Sequence, residues 1–291
     1  MITKRERDKP YKIPNCGVCS STNLEVSGTK CINNLTHEIE TPFNLCNNCG
    51  SLSVKETQEQ HDLLEISNRN YEKDNKIKGL LKSILIKREL MSAGICGGDS
   101  LDYGCGNGAL GHSFNKLFPA SKISFVDLST TPPKGISGRY LSNEEFIRSS
   151  LTFDNIFLRH VLEHSGEPQA LLERLAKRLR PKGKIYVWIP NESSAWKIFG
   201  ARWPGYFYPF HQYVISHTGI KHIANSTNRL RITKLEFVET PIFGVLISSF
   251  AKIPRPLIFV IGALGYVFQV ALTFLTPQYR ESMLVIFEKD E

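Results

Sequence analysis

The 291-residue sequence has no Arg-Gly tract, no long run of one charge sign, no internal repeat and no low-complexity segment. Nothing in it marks a dedicated nucleic-acid protein, a collagen-like chain or wholesale disorder. At 41% hydrophobic and 22% charged it is ordinary globular chemistry, long enough for one large core plus a module, or for two domains. Its net charge of +8 permits anionic partners such as phosphates, phospholipid or RNA without selecting one. Residues 1–12 are charged and lack the apolar core of roughly 7–15 residues that a secretory signal needs, so synthesis in the cytosol is expected. The 7 cysteines are odd in number, which does not fit a fully paired disulfide framework. Cytosolic cysteines serve more often as thiols, catalysts or metal ligands.

Four zones follow one another. Residues 13–54 hold Cys16, Cys19, Cys31, Cys46 and Cys49 among short polar turns. Residues 56–98 read as a helical linker or lid: after Leu63 and Leu64, the residues Ile77, Leu80, Leu81, Ile84, Leu85 and Leu90 recur at helical steps until Gly94 and Gly97. From Ser100 the apolar runs 100–103, 123–126, 153–158 and 185–189 alternate with amphipathic stretches, the pattern of a parallel sheet with crossover helices. The clearest helix is predicted over 168–180, with Leu171, Leu172, Leu175, Ala176 and Leu179 on one face and Pro181 and Gly183 ending it. Beyond an aromatic stretch reaching Tyr213, a helix is expected over 216–226 and strands over 231–239 and 283–287, with an apolar insert, 242–277, between the strands.

Cys16-Gly-Val-Cys19 and Cys46-Asn-Asn-Cys49 are two C-x-x-C knuckles, 26 residues apart. Each spacing lets two thiolates reach one ion, and two knuckles complete a closed tetrahedral Zn²⁺ site, with Gly17 and Gly50 relieving the tight turns. Such a site has no open coordination position, so it is expected to hold a fold or dock a partner. Cys31 is then a spare.

A second motif runs Asp102-Tyr103-Gly104-Cys105-Gly106-Asn107-Gly108-Ala109-Leu110-Gly111, after an apolar run and before a helical one. Alternating glycines let the backbone approach a ligand closely, and the helix N-terminus adds free N–H groups. Asp127, 19 residues past Gly108, ends the next apolar run, where a carboxylate can accept from ribose hydroxyls. Gly106 to Gly111 also satisfies the dinucleotide fingerprint G-x-G-x-x-G.

The longer pattern, an acid two residues ahead of Gly104, resembles motif I of the class I S-adenosylmethionine (SAM)-dependent methyltransferases. Residues 153–164 (FDNIFLRHVLEH) and 179–185 (LRPKGKI) are similar to that family's fourth strand and to its turn into the fifth, Lys182 standing where the family usually has glycine. The resemblance covers about 99–240. It implies an α/β fold: a Rossmann-like seven-stranded, mostly parallel sheet whose last strand is antiparallel and inserted beside the sixth. It also implies that Asp102, Gly104, Cys105, Gly106, Asn107 and Gly108 surround the amino-acid end of SAM, Asp127 the ribose and Leu128 the adenine. Glu144 neighbours the adenine amine or is a solvated helix-cap acid; Arg159 and His160 edge the pocket. A four-cysteine ribbon ahead of this domain is similar to bacterial sugar C- and O-methyltransferases, with Phe43 and Leu45 leading into Cys49. Too few residues follow the sheet for the C-methyltransferases' last domain, which speaks against sugar-carbon chemistry and leaves the simpler layout of enzyme with ribbon. The implied division is 13–54 ribbon, 56–98 helical linker or lid, and 99–291 methyltransferase with the apolar insert.

His164 and His211 are the candidate catalytic bases. His164 alternatively caps a helix, and His211 alternatively sits satisfied in an aromatic lid core formed by Trp203, Tyr206, Phe207, Tyr208 and Phe210. Within the insert, residues 257–275 are nineteen without a charge, close to the roughly 20 that cross a bilayer. If the strands on either side share one sheet, a single crossing is excluded. The insert then lies on the membrane surface, with Lys252 and Arg255 at headgroups and Phe259, Tyr266 and Phe268 nearby, or packs internally. The reading that results is a methyltransferase acting on a sugar hydroxyl of a nucleotide- or lipid-linked intermediate, peripheral on the inner face of the cytoplasmic membrane. Quinone or lipid headgroups and RNA are rival acceptors. A non-catalytic SAM-fold binding module is the rival from another class.

Overall fold

The computed structural model describes residues 15–33, 37–54, 76–133, 135–194, 197, 203–206, 211–227, 229–238 and 255–290. Leu63, Leu64, Phe207, Tyr208, Phe210 and Lys252 lie outside them, as do the side chains of Arg255, Phe259, Tyr266 and Phe268. At the amino end β1 (Leu24–Asn33) and β2 (His37–Cys46) pair antiparallel, with Leu24 opposite Cys46. That register brings the knuckle ahead of β1 to the knuckle that ends β2. The short β3 (Leu52–Ser53) continues the sheet.

After α1 (Lys76–Ser92) the chain enters a seven-stranded sheet. It begins with β4 (Ser100–Tyr103), α2 (Ala109–Leu117), β5 (Ile123–Asp127), β6 (Arg139–Ser142) and α3 (Asn143–Arg148). Then come β7 (Phe153–Arg159), α4 (Pro168–Ala176) and β8 (Leu179–Pro190). The short β9 (Tyr213–Val214), α5 (His217–Ser226), β10 (Leu230–Val238), α6 (Arg255–Phe274) and β11 (Ser282–Lys289) complete the chain. Strand order is β10-β11-β8-β7-β4-β5-β6. Only β11 runs against its neighbours: β4 to β8 pair in parallel, whereas β11 is antiparallel to both β8 and β10. This is the arrangement the resemblance implies. The central strands read as unbroken apolar runs because both faces are covered; Ile185 to Ile189 are all at most 2% exposed.

Two boundaries differ from expectation. The helix predicted to reach 180 stops at Ala176, and β8 starts at Leu179, opposite Phe153. The strand survives Pro181 through a register shift: Lys182 takes φ +62°, and a Cβ on Gly183 would lie 2.9 Å from the Arg180 carbonyl. Lys182 thus occupies a left-handed position that glycine fills without strain, which accounts for the glycine usual there in the similar family.

The ribbon is not a separate bead. β3 pairs antiparallel with β9, so its sheet is completed by a strand from beyond β8. Phe43, Leu52 and Val54 share one small core with Trp203, Tyr206 and Val214. Gly17 belongs to this contact and not to turn relief: a Cβ there would come 2.2 Å from the Tyr213 hydroxyl, whereas Gly50, at φ +73°, is the true turn position.

Because β10 and β11 are neighbours, the insert leaves and rejoins one sheet, and a single membrane crossing is excluded. Arg255 and Pro256 open α6, so its apolar part falls short of the roughly 20 residues a crossing takes. Among the described residues no helix is long and apolar enough to cross a membrane. The helix still presents Leu257, Val260, Leu264 and Val267 to solvent, each more than half exposed.

Candidate functional site

Three sites lie around the carboxyl ends of the parallel strands and the ribbon that buttresses them. In the ribbon, Cys16 Sγ lies 3.8 Å from Cys49 Sγ and Cys19 Sγ 3.5 Å from Cys46 Sγ, and all four sulfurs fall within 4.8 Å of one another. Zinc–sulfur bonds of about 2.3 Å in a tetrahedron require sulfur–sulfur edges of about 3.8 Å. The donor set is consistent with a zinc ribbon. Burial raises the Cys46 thiol pKa, and contact with Cys16 plus burial raises that of Cys49. A dication at the centre reverses that preference and holds thiolates.

The glycine-rich corner is built from main chain. Gly104 N–H and Cys105 N–H both donate to the Val126 carbonyl, at 2.8 and 3.0 Å, so the turn leaves β4 leaning on the end of β5. Gly104, Gly106 and Gly108 all have left-handed φ, and Gly108 caps α2 in that conformation. A Cβ on Gly104 would stand 2.5 Å from Val161. Asp102 is buried beneath the turn and accepts from Gly111 N–H at 3.0 Å. Burial pushes its carboxyl up to about 7 against that hydrogen bond, with Asp127 adding to the rise. Asp127 reaches into the same corner, accepting from Gly106 N–H at 2.8 Å and from Ser129 N–H at 3.3 Å. A carboxylate has further lone pairs for ligand hydroxyls.

The remaining sequence-predicted residues divide. Cys105 is a buried thiol raised by burial, and Asn107 Oδ1 accepts from Ala109 N–H at 3.3 Å, stiffening the turn. Leu128 is 68% exposed at the tip of β5, an apolar face turned to solvent. Glu144 is solvated and pairs only loosely with Arg148; the acid that caps α3 is Glu145, in a reciprocal box with Ser142. Arg159 turns to Glu89 on α1, donating through Nε at 3.0 Å and Nη2 at 3.2 Å. His160 takes φ +53° and brings Nδ1 to 3.2 Å from Glu163 Oε1.

His164 and His211, 47 positions apart in the chain, meet with ring centroids at 4.7 Å. Gln212 N–H donates to the Glu163 carbonyl at 2.9 Å, which locks the two segments together. The ribbon supports this join: Ser216 N–H donates to Ser51 Oγ, Ser216 Oγ to the Cys49 carbonyl, and Val54 N–H to the Gln212 carbonyl. Burial, helped by neighbouring His164, holds His211 down at about 3, so its ring is neutral at physiological pH and a weak proton acceptor. Burial alone would raise the Glu163 carboxyl, but the hydrogen bond with His160 and the charge of that imidazole bring it down to about 2. Sequence reasoning passed over Glu89 and Glu163. The only signal for Glu163 was an acid flanked by histidines, and Glu89 gave none.

A family described as "Methyltransferase domain" matches residues 68–228. A ubiquinone biosynthesis O-methyltransferase of Xanthomonas oryzae pv. oryzae is 26% identical over 144 residues, 45% of this chain and 59% of that protein. One of the same name from Parvibaculum lavamentivorans is 30% identical over 115 residues, 35% of this chain and 46% of its own length. The chain therefore spans less than two thirds of the curated relatives it matches. A solved SAM-dependent methyltransferase from Archaeoglobus fulgidus superposes with TM-score 0.48 and 17% identity over 79% of this chain and 99% of that one.

Proposed function

The chain belongs to the methyltransferase-domain family, whose profile matches residues 68–228, and from that premise we propose that it methylates a ring hydroxyl of a lipid-linked acceptor using SAM. The observation that carries the cofactor assignment is the corner itself: three left-handed glycines follow a buried acid, and the middle one, Gly106, donates its N–H to the carboxylate that ends β5. In that corner Asp102 and the turn face the amino-acid end of the donor, Asp127 the ribose and Leu128 the adenine. Arg159 acts through Glu89 to fix α1 against the pocket, and His160 acts through Glu163. Glu144 stands too solvated for more than a marginal contact.

When bound, SAM supplies an electrophilic methyl group on sulfur. The chain's own task is to align an acceptor in line with it and take charge of the hydroxyl proton. His164 and His211 are the groups on the acceptor side. His211, neutral and weakly basic, positions and does not deprotonate.

Two features support a lipid-linked sugar: the four-cysteine ribbon beside the aromatic residues Trp203 and Tyr206, and the exposed apolar helix α6. In this reading α6 rests on the inner face of the cytoplasmic membrane and zinc fills the ribbon. A hydroxylated quinone head is the second reading, favoured by the names of the curated relatives. Incubating the full chain with methyl-labelled SAM and membrane lipid extract tests both. Label is expected in the organic phase, released with sugar by mild acid in the first reading and retained on a prenyl ring in the second. Label in neither overturns the lipid-linked acceptor. Retention of the chain on phosphatidylglycerol vesicles, lost when 243–276 are deleted, tests the membrane contact.

A further inference from the structure

Glu163 is fully buried, and its two oxygens differ. Oε1 takes Nδ1 of His160, whereas Oε2 is buried with no hydrogen-bond partner among the described residues. A carboxylate oxygen buried without a partner is costly, and a donor or a cation beside it removes that cost. One ligand atom from each of Glu163, His164 and His211 lies within 4.8 Å of the other two. The Gly205 carbonyl can only accept, so His211 Nδ1, 3.1 Å away, is its donor, and Nε2 carries the lone pair. Carbonyl and histidine partners of this kind are the usual outer supports of metal ligands.

We propose that Glu163, His164 and His211 bind one divalent cation of the zinc type, separate from the ribbon ion. Two imidazoles and one carboxylate are a recurrent ligand set for such ions and leave coordination positions open. The cluster also stands beside the cofactor corner, since Val161 of the same segment packs against Gly104. Its open face takes the acceptor hydroxyl. The bound oxygen gives its proton to water, its lone pair forms the bond to the methyl carbon, and the carbon–sulfur pair returns to sulfur. This catalytic role rests on the methyl-transfer reading above; the binding of the ion does not.

The test is a metal count on the full chain, saturated with Zn²⁺, passed through a weak chelator and measured by mass spectrometry. Two ions per chain are expected in the wild type and one in Glu163→Gln and in His164→Gln. One ion in the wild type overturns the proposal, as do two in both triad variants when their circular dichroism matches the wild type. Should Glu163→Gln fail to fold, the half-buried His164→Gln carries the comparison. SAM titration of the same samples separates the two claims: two ions without SAM binding sinks methyl transfer alone, and SAM binding with one ion sinks the cation alone.

Discussion

The proposed cofactor corner and the proposed acceptor side are built in opposite ways. The corner is local and made of backbone: residues 102 to 111 and Asp127 supply turn, buried acid and second carboxylate through bonds that stay between β4, β5 and α2. The acceptor side is assembled from side chains of distant segments, with Glu163 and His164 meeting His211, and His211 held in place by strands that include β3 of the ribbon. A local backbone site tolerates change far away and fails when a glycine gains a side chain. An assembled site fails when any of its supports is released.

Breaking a support should therefore have the largest effect. Cys46→Ser is expected to release the ribbon ion and abolish turnover, because β9 and Ser216 lose their partners. Its SAM affinity should stay within about threefold of wild type, since among the described residues the corner bonds nothing in the ribbon. Metal analysis and calorimetry on one preparation check this, and a parallel loss of both activities would dissolve the distinction between the two sides. Gly104→Ala should do the reverse. Left-handed strain for a residue with a Cβ is about 1–2 kcal/mol, and overpacking against Val161 adds to it, for about 2–4 kcal/mol in all. SAM binding should fall with it, measurably in urea unfolding and titration.

Asp102→Asn sharpens the corner more gently, with about a tenfold loss of SAM affinity, or about 1.4 kcal/mol. The wild type should show the same loss as pH falls through about 7, because the raised carboxyl takes up a proton and can no longer attract the cofactor's ammonium. The asparagine variant should be flat across that range. Glu144→Gln should change affinity less than about twofold, as befits a side chain 82% exposed.

The same contrast explains what could be read from the chain. The parallel sheet and the corner were legible because apolar runs and glycine spacing encode them over short stretches, and the antiparallel β11 followed from the family resemblance. The Arg159–Glu89 fork joins residues 70 apart, and β3 meets β9 across more than 150 residues. No spacing in the sequence marks either one. Gly17 was legible as a glycine but not as the seat of Tyr213, and the early end of α4 depended on a strand register that only the folded sheet imposes.

Calorimetric titration of the full chain with SAM at pH 8 addresses the corner most directly. One site per chain, weakened at least tenfold by Gly104→Ala, is the expected result. No heat of binding from a folded wild-type chain would contradict it.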